Sequence, residues 1–126
     1  MIDHITFGVS DFDRSAAFYD RALAPLGLSR LFEEEDGGVK VAGYGDARPF
    51  FWIVGARPVS GMLHVALGAR DRAQVDAFHR EGLAAGGTDN GAPGLRPQYH
   101  PGYYGAFVLD PDGHNIEAVF HDTAVA

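Results

Sequence analysis

The 126-residue sequence contains no cysteine, which excludes disulfides, thiolate metal sites and thiol catalysis. No apolar run approaches the roughly 20 residues of a membrane span, and the first residues, MIDHITF, lack the basic start and apolar stretch of a signal peptide. We therefore expect a cytoplasmic protein. Basic residues are also scarce, with 10 Lys and Arg against 17 Asp and Glu and a formal charge of −7. This balance argues against nucleic acid and anionic membranes as partners and favours small molecules.

An internal repeat organises the chain. The segment HITFGVSDFDRSAAFYDRALAPLG, from His4, aligns without gaps on HVALGARDRAQVDAFHREGLAAGG, from His64, at an offset of 60. Each copy predicts a strand and a helix, followed by three strand-like pieces. The sequence therefore predicts a single α+β domain of two βαβββ modules, residues 1–57 and 58–126, whose curved mixed sheets surround a cleft and carry their helices on the outer face.

The first strands place two histidines on corresponding faces. Ile5, Phe7 and Val9 form a bulky face suited to pack on the helices, which leaves His4 and Thr6 on the other. The second copy repeats the pattern: His64, Ala66 and Gly68 lie opposite the bulky residues. Both histidines thus overlook a surface lined by small side chains, with room for a ligand.

The last strand adds a carboxylate to this pair. DPDG, residues 110–113, predicts a tight turn, and in the strand that follows Glu117 shares a face with Val119 and His121. Glu117 is then either a solvent residue or a charge aimed into a cavity. An alignment at an offset of 65 places Trp52 at the corresponding position of the first module.

Taken together, His4, His64 and Glu117 have the ligand types of a 2-His-1-carboxylate site, which suits Fe(II), Mn(II) or Zn(II) and leaves positions open for substrate. Each residue taken alone fits an ordinary surface or core role. A chain that keeps the fold without the metal is the alternative. The indole of Trp52 cannot bind a metal through its N–H, so this residue is either a packing residue and pocket wall or a stacking platform.

The loop PQYHPGYYG, residues 97–105, is a candidate substrate rim that contributes Tyr99, His100, Tyr103 and Tyr104. Alternatively, its rings cover the end of the sheet or a subunit interface. For the remaining histidines, His79, His114 and His121, we expect surface positions.

Three segments resemble the vicinal oxygen chelate superfamily: DHITFGVSDFDRSAAFYDRAL, GMLHVALGARD and FVLDPDGHNIEAVF. This superfamily includes lactoylglutathione lyases, extradiol dioxygenases, fosfomycin-resistance thiol transferases and bleomycin-resistance proteins. The resemblance covers nearly the whole chain. It implies that His4, His64 and Glu117 bind a divalent metal such as Fe, Mn, Zn or Ni, and that the chain forms a homodimer.

The resemblance also separates the subfamilies. Lactoylglutathione lyases carry a carboxylate or amide ligand where this chain has Trp52, so that activity is disfavoured. Two features are similar to fosfomycin enzymes: the segment His4-Ile5-Thr6, and Trp52 shortly before the segment that joins the two modules. This chain lacks the basic C-terminal extension of those enzymes. Extradiol dioxygenases keep a Tyr where this chain has Phe107.

The sequence thus favours a metal-dependent enzyme acting on a small oxygen-rich substrate chelated through vicinal oxygens, by lyase, isomerase, dioxygenase or thiol-transferase chemistry. Candidate catalytic residues are Thr6, His100 and Tyr104, and candidate substrate contacts are Trp52, Tyr99, Tyr103 and Tyr104. The alternative is a metal-free protein of the bleomycin-resistance type that sequesters a cationic or aromatic compound.

Overall fold

The computed structural model describes residues 1–125 and contains two four-stranded mixed sheets, each with one α-helix. The first module comprises β1 (Ile5–Gly8), α1 (Phe12–Leu23), a 3₁₀ turn (Ala24–Leu26), β2 (Ser29–Asp36), β3 (Val39–Gly45) and β4 (Pro49–Val54). The second comprises β5 (His64–Gly68), α2 (Arg72–Ala84), β6 (Thr88–Leu95), β7 (Tyr103–Leu109) and β8 (Asn115–His121). The predicted α+β fold of two βαβββ modules is confirmed, and neither sheet closes on itself.

The two sheets have the same topology. Their strand orders are β1-β4-β3-β2 and β5-β8-β7-β6, with the first pair of each parallel and the other pairs antiparallel. A parallel pair needs a long crossover connection, and the helix and the two intervening strands provide it. Thr6 pairs with Trp52 in one sheet and Ala66 with Glu117 in the other, so Trp52 and Glu117 occupy equivalent positions, as the sequence predicts.

An aspartate side chain caps the start of each helix. The side chain of Asp11 accepts a hydrogen bond from the backbone N–H of Arg14, and that of Asp71 accepts one from Gln74. Gln74 in turn accepts from the backbone N–H of Arg70 at 2.8 Å, which completes a capping box at the start of α2. No helix within residues 1–125 is long and apolar enough to cross a membrane.

The core fills the space between the helices and the sheets. Phe7 of β1, Val9 directly after it, and Leu67 of β5 face the helices and are buried. The modules also approach each other closely: a Cβ atom on Gly87 would lie 2.6 Å from the ring of Phe18, on the other module. The helices and the sides of both sheets that face them therefore share one continuous core.

A buried hydrogen bond joins the two modules. The hydroxyl of Tyr19, on α1, donates to Asp110 Oδ2 at 2.5 Å, at the start of the turn between β7 and β8. The other carboxylate oxygen accepts hydrogen bonds from the backbone N–H groups of Asp112 and His114, both at 2.9 Å. Burial, and then the adjacent Asp110 carboxylate, raise the pKa of Tyr19 well above its usual range, so the hydroxyl remains a donor.

The expected surface position of His114 is wrong. Its relative exposure is 5%, and its ring packs edge-on against Phe7 of the first module, with 6.2 Å between the ring centroids. The cause is tertiary, because the bond between Asp110 and the backbone of His114 holds the start of β8 against the first module.

Replacing Tyr19 with Phe should lower the free energy of unfolding by about 1–3 kcal/mol, because Asp110 Oδ2 would remain buried without its donor. Equilibrium urea unfolding measures this. Tyr104→Phe is the matched control: it also removes a hydroxyl bonded to an aspartate, but on an exposed bond, and should change stability by less than about 0.5 kcal/mol. Equal losses in the two variants would contradict the assigned role of Tyr19.

Candidate metal and substrate site

A buried carboxylate occupies the helix-free face of the second sheet. Glu117 is 1% exposed, and its Oε1 lies 2.9 Å from His64 Nε2. Strand alternation directs its side chain away from the helices, where its neighbours in register are Ala66 and Phe107. No Lys or Arg within residues 1–125 forms an ion pair with it; His64 is its only ion-pair partner. A buried carboxylate is costly unless a partner compensates it, so this position is typical of a functional site.

The remaining oxygen of Glu117 is held by Tyr103, whose hydroxyl donates to Oε2. Burial raises the pKa of Tyr103, and the hydrogen bond to Glu117 raises it further. Tyr103 therefore stays protonated at neutral pH and fixes the orientation of the carboxylate, leaving Oε1 directed towards His64.

Aromatic rings surround Tyr103 on the side away from His64. The centroid of Tyr99 lies 4.9 Å from that of Tyr103, and His100 and His121 each lie 5.4 Å from it. The two histidines stack on each other, with 2.9 Å between His100 Nε2 and His121 Nδ1. The structure thus brings Tyr99, His100 and Tyr103 together beside Glu117. His121 is not among the candidate site residues of the sequence analysis. Strand alternation places it on the same face of β8 as Glu117, however, and this pattern could have identified it.

Tyr104 lies on the opposite face of the same strand. Its hydroxyl donates to Asp76 on α2 at 2.6 Å, and the guanidinium of Arg72 lies 4.8 Å from its ring centroid. Successive residues of β7 point to opposite faces, so Tyr104 cannot share the surface that Tyr103 lines. The catalytic and substrate-binding roles expected for Tyr104 therefore find no geometric support.

The equivalent face of the first module carries His4, Thr6 and Trp52. They line a depression of about 320 Å³ together with Asp3, Arg48 and Pro49. The Trp52 ring lies 5.4 Å from that of Phe32 and covers Gly43, where a Cβ atom would lie 2.7 Å from the indole. Trp52 is therefore well packed and forms the floor of this depression.

His4 stands apart from the other two candidate ligands. Its Nδ1 lies 2.8 Å from a carboxylate oxygen of Asp3, and its side chain is 56% exposed. A groove of about 490 Å³ runs between β1 and β5, and both His4 and His64 line it. Within residues 1–125, however, no three His, Asp or Glu side chains approach closely enough to hold a metal. One chain thus presents a pair of donors and a separate histidine.

The donor chemistry fits a divalent metal. An imidazole nitrogen and a carboxylate oxygen are ligands of Zn(II), Mn(II) and Fe(II), and His64 Nε2 and Glu117 Oε1 already lie 2.9 Å apart. The hydroxyl of Tyr103 supplies the outer hydrogen bond that ligating carboxylates usually have. Completing the coordination requires at least one further donor.

Comparison with known proteins gives a consistent picture. Residues 1–118 match the family model described as the Glyoxalase/Bleomycin resistance protein/Dioxygenase superfamily. A search among curated proteins gave no match.

Solved structures agree with the family model. A glyoxalase/bleomycin resistance protein from Albidiferax ferrireducens is 30% identical, with 94% of this chain and 96% of that chain covered and a TM-score of 0.78. A glyoxalase-related enzyme from Fulvimarina pelagi shares the fold at 23% identity, with 95% and 87% covered and a TM-score of 0.71. A variant of glyoxalase I from Zea mays does so at 23% identity and a TM-score of 0.73; the match covers 94% of this chain but 46% of the maize protein. The chain therefore belongs to the Glyoxalase/Bleomycin resistance protein/Dioxygenase superfamily.

Proposed function

We propose that the protein is a divalent-metal-dependent enzyme that acts on a small oxygen-rich substrate bound through two neighbouring oxygens. The observation that carries this proposal is the buried Glu117 carboxylate paired with His64 at 2.9 Å on the helix-free face of the second sheet. Such a charge destabilises the fold unless a cation or a proton offsets it, which is the usual signature of a site kept for function.

His4 is the third protein ligand in this proposal, and it comes from a second copy of the chain. The separation of His4 from His64 and Glu117 within one chain supports this arrangement. So do Ile2 and Met62, which are 85% and 91% exposed and occupy repeat-equivalent positions just before the edge strands β1 and β5. Exposed apolar residues beside unpaired strand edges favour association. The working unit is then a homodimer with two equivalent sites.

A metal bound in this site supplies Lewis acidity, which polarises a substrate oxygen. The protein groups do the rest. Tyr103 orients Glu117, and Phe107, its neighbour in register on β7, covers part of the face on which the substrate lies. Trp52 and Thr6 of the second copy form the opposite wall in the proposed dimer.

His100 is the preferred proton carrier among the candidate catalytic residues. Its Nδ1 lies 2.7 Å from the Pro101 carbonyl, an acceptor only, so Nδ1 carries a hydrogen. Its Nε2 then shares a proton with His121 Nδ1 across 2.9 Å. Both rings are exposed and each lies 5.4 Å from the ring of Tyr103, which suits proton exchange between the cleft and solvent.

A metal-free binding protein is the second candidate. The net charge of −7 and the aromatic cluster of Tyr99 and Tyr103 favour capture of a cationic aromatic compound by stacking and cation–π contact. Metal content separates the two candidates, because only the first requires a bound ion.

We expect the protein purified without chelators to bind about one divalent metal per chain, as measured by elemental analysis and calorimetric titration. Glu117→Gln should weaken binding by at least about 100-fold, since loss of an outer-shell partner alone costs about 10–100-fold. Glu35→Gln removes the same charge from an exposed position on β2 and should leave affinity unchanged. Unchanged affinity in Glu117→Gln would reject this ligand assignment.

Mixing variants tests the shared site. A heterodimer of a His4→Ala chain and a Glu117→Ala chain should regain one intact metal site. Both substituted residues then belong to the same shared site, and the other site keeps all three ligands. A heterodimer of His64→Ala and Glu117→Ala should regain none, since both changes affect the same donor pair. Metal titration of the isolated heterodimers distinguishes these outcomes. A protein that sediments as a monomer at micromolar concentration would exclude the shared site.

Lactoylglutathione lyase activity should be negligible. Trp52 occupies the position equivalent to Glu117, so the first module offers no fourth ligand and no carboxylate to move a proton there. The check is turnover of the methylglyoxal–glutathione hemithioacetal by metal-loaded protein. Robust turnover would show that the reaction does not need a donor at this position.

A further inference from the structure

Arg96 has no carboxylate partner within residues 1–125, although the protein is strongly acidic. Three arginines are half-buried, and Arg30 and Arg72 pair with Asp20 and Asp122. Arg96 forms no ion pair with any residue in the described chain, 1–125. Its guanidinium instead donates to the carbonyls of Gly94 and Ala92 at 2.9 and 2.7 Å.

The backbone of β6 is shaped around this guanidinium. The pairing of β6 with β7 shifts register on both sides of Gly91. A Cβ atom on Gly91 or on Gly94 would lie 3.2 Å from a guanidinium nitrogen, so side chains there would displace it. The ring of Phe107 supports the other side, 5.4 Å from the guanidinium carbon. The position of the charge is therefore well defined.

The guanidinium retains unused donors that face a pocket. It has five N–H groups, and the two carbonyls occupy two of them. The pocket has a volume of about 330 Å³ and is lined by Asn90, Gly91, Arg96, Tyr99, Phe107 and Asn115. Asn115 also lines the pocket, but its Oδ1 is buried and has no hydrogen-bond partner within the described residues. Arg96 is therefore the charged group that the pocket offers to a ligand.

This pocket adjoins the His64–Glu117 pair. Asn115 lies opposite His64 in the register of β5 and β8, and Phe107 lies opposite Glu117 in that of β7 and β8. The ring of Phe107 is 6.1 Å from that of His64. Phe107 thus forms a wall common to the pocket and to the donor pair.

We propose that this pocket is an anion subsite whose ligand carries a carboxylate bound by Arg96. The role of that ligand as substrate rests on the proposed function, and the subsite then makes the substrate a small carboxylate. The planar fork of a single arginine matches a carboxylate in two-point contact. A phosphate or phosphonate, with its higher charge, is disfavoured by the lone cation.

Binding of phenyllactate to the full chain, compared with its uncharged amide, tests the subsite. Calorimetric titration is run with EDTA and again with added Mn(II). Wild type should prefer phenyllactate in EDTA, and Arg96→Gln should weaken phenyllactate binding by about tenfold or more while leaving the amide unaffected. Arg57→Gln, which removes an exposed arginine without an ion pair, should behave as wild type. Inorganic phosphate should compete poorly.

A further variant separates the charge of the side chain from its geometry. Arg96→Lys keeps the charge and should retain part of the preference for phenyllactate.

The proposal is overturned if wild type binds phenyllactate no better than the amide, if it binds neither, or if folded Arg96→Gln keeps full affinity. A role for Arg96 confined to bracing β6 predicts this last result. The preference for phenyllactate is measured in EDTA, so it does not depend on metal. Absence of metal binding would reject the metal site but not the subsite. Absence of the preference would reject the subsite but not the metal site.

Discussion

The buried hydrogen bond between Tyr19 and Asp110 fixes how the two modules fit together. Asp110 binds Tyr19 through one oxygen and the backbone of Asp112 and His114 through the other, so it ties α1 to the turn that starts β8. The position of β8 determines that of Glu117, seven residues along the chain. A structural bond between modules therefore sets the position of the proposed functional carboxylate, and the core packing of Phe18 against Gly87 reinforces it.

The face opposite this core is arranged around Glu117. One oxygen faces His64 and the other accepts from Tyr103, which leaves the carboxylate hydrogen-bonded but without a permanent cation. Core packing alone does not explain a nearly unexposed charge in this position, because an apolar residue would be more stable there. The cost is understandable if a ligand or a metal supplies the missing charge, and Arg96 in the adjoining pocket provides a fixed positive charge for a second group of the ligand.

The two modules have the same topology but different surfaces. The helix-free face of the first carries a packed Trp52 and an exposed His4, whereas that of the second carries the buried carboxylate and its aromatic neighbours. The first face carries one candidate ligand, His4, and the second carries the other two, His64 and Glu117. In the proposed homodimer the two unlike faces meet, so that divergence of the repeat has produced complementary halves of one site.

The repeat, the strand alternation and the capping residues determined the fold, because each reports on local geometry: Asp11 and Asp71 cap the helices, and His64 and Glu117 point to the same side of their strands. The sequence predicts a loop at Tyr103 and Tyr104, where alternation does not apply; the structure begins β7 at Tyr103, so the two rings lie on opposite faces. Only the tertiary structure decided that His114 is buried, that Tyr103 holds Glu117 and that Arg96 donates to backbone carbonyls and pairs with no carboxylate in the described chain. These facts depend on contacts between residues distant in sequence, and a pattern of residue types along one chain carries no measure of which of them meet.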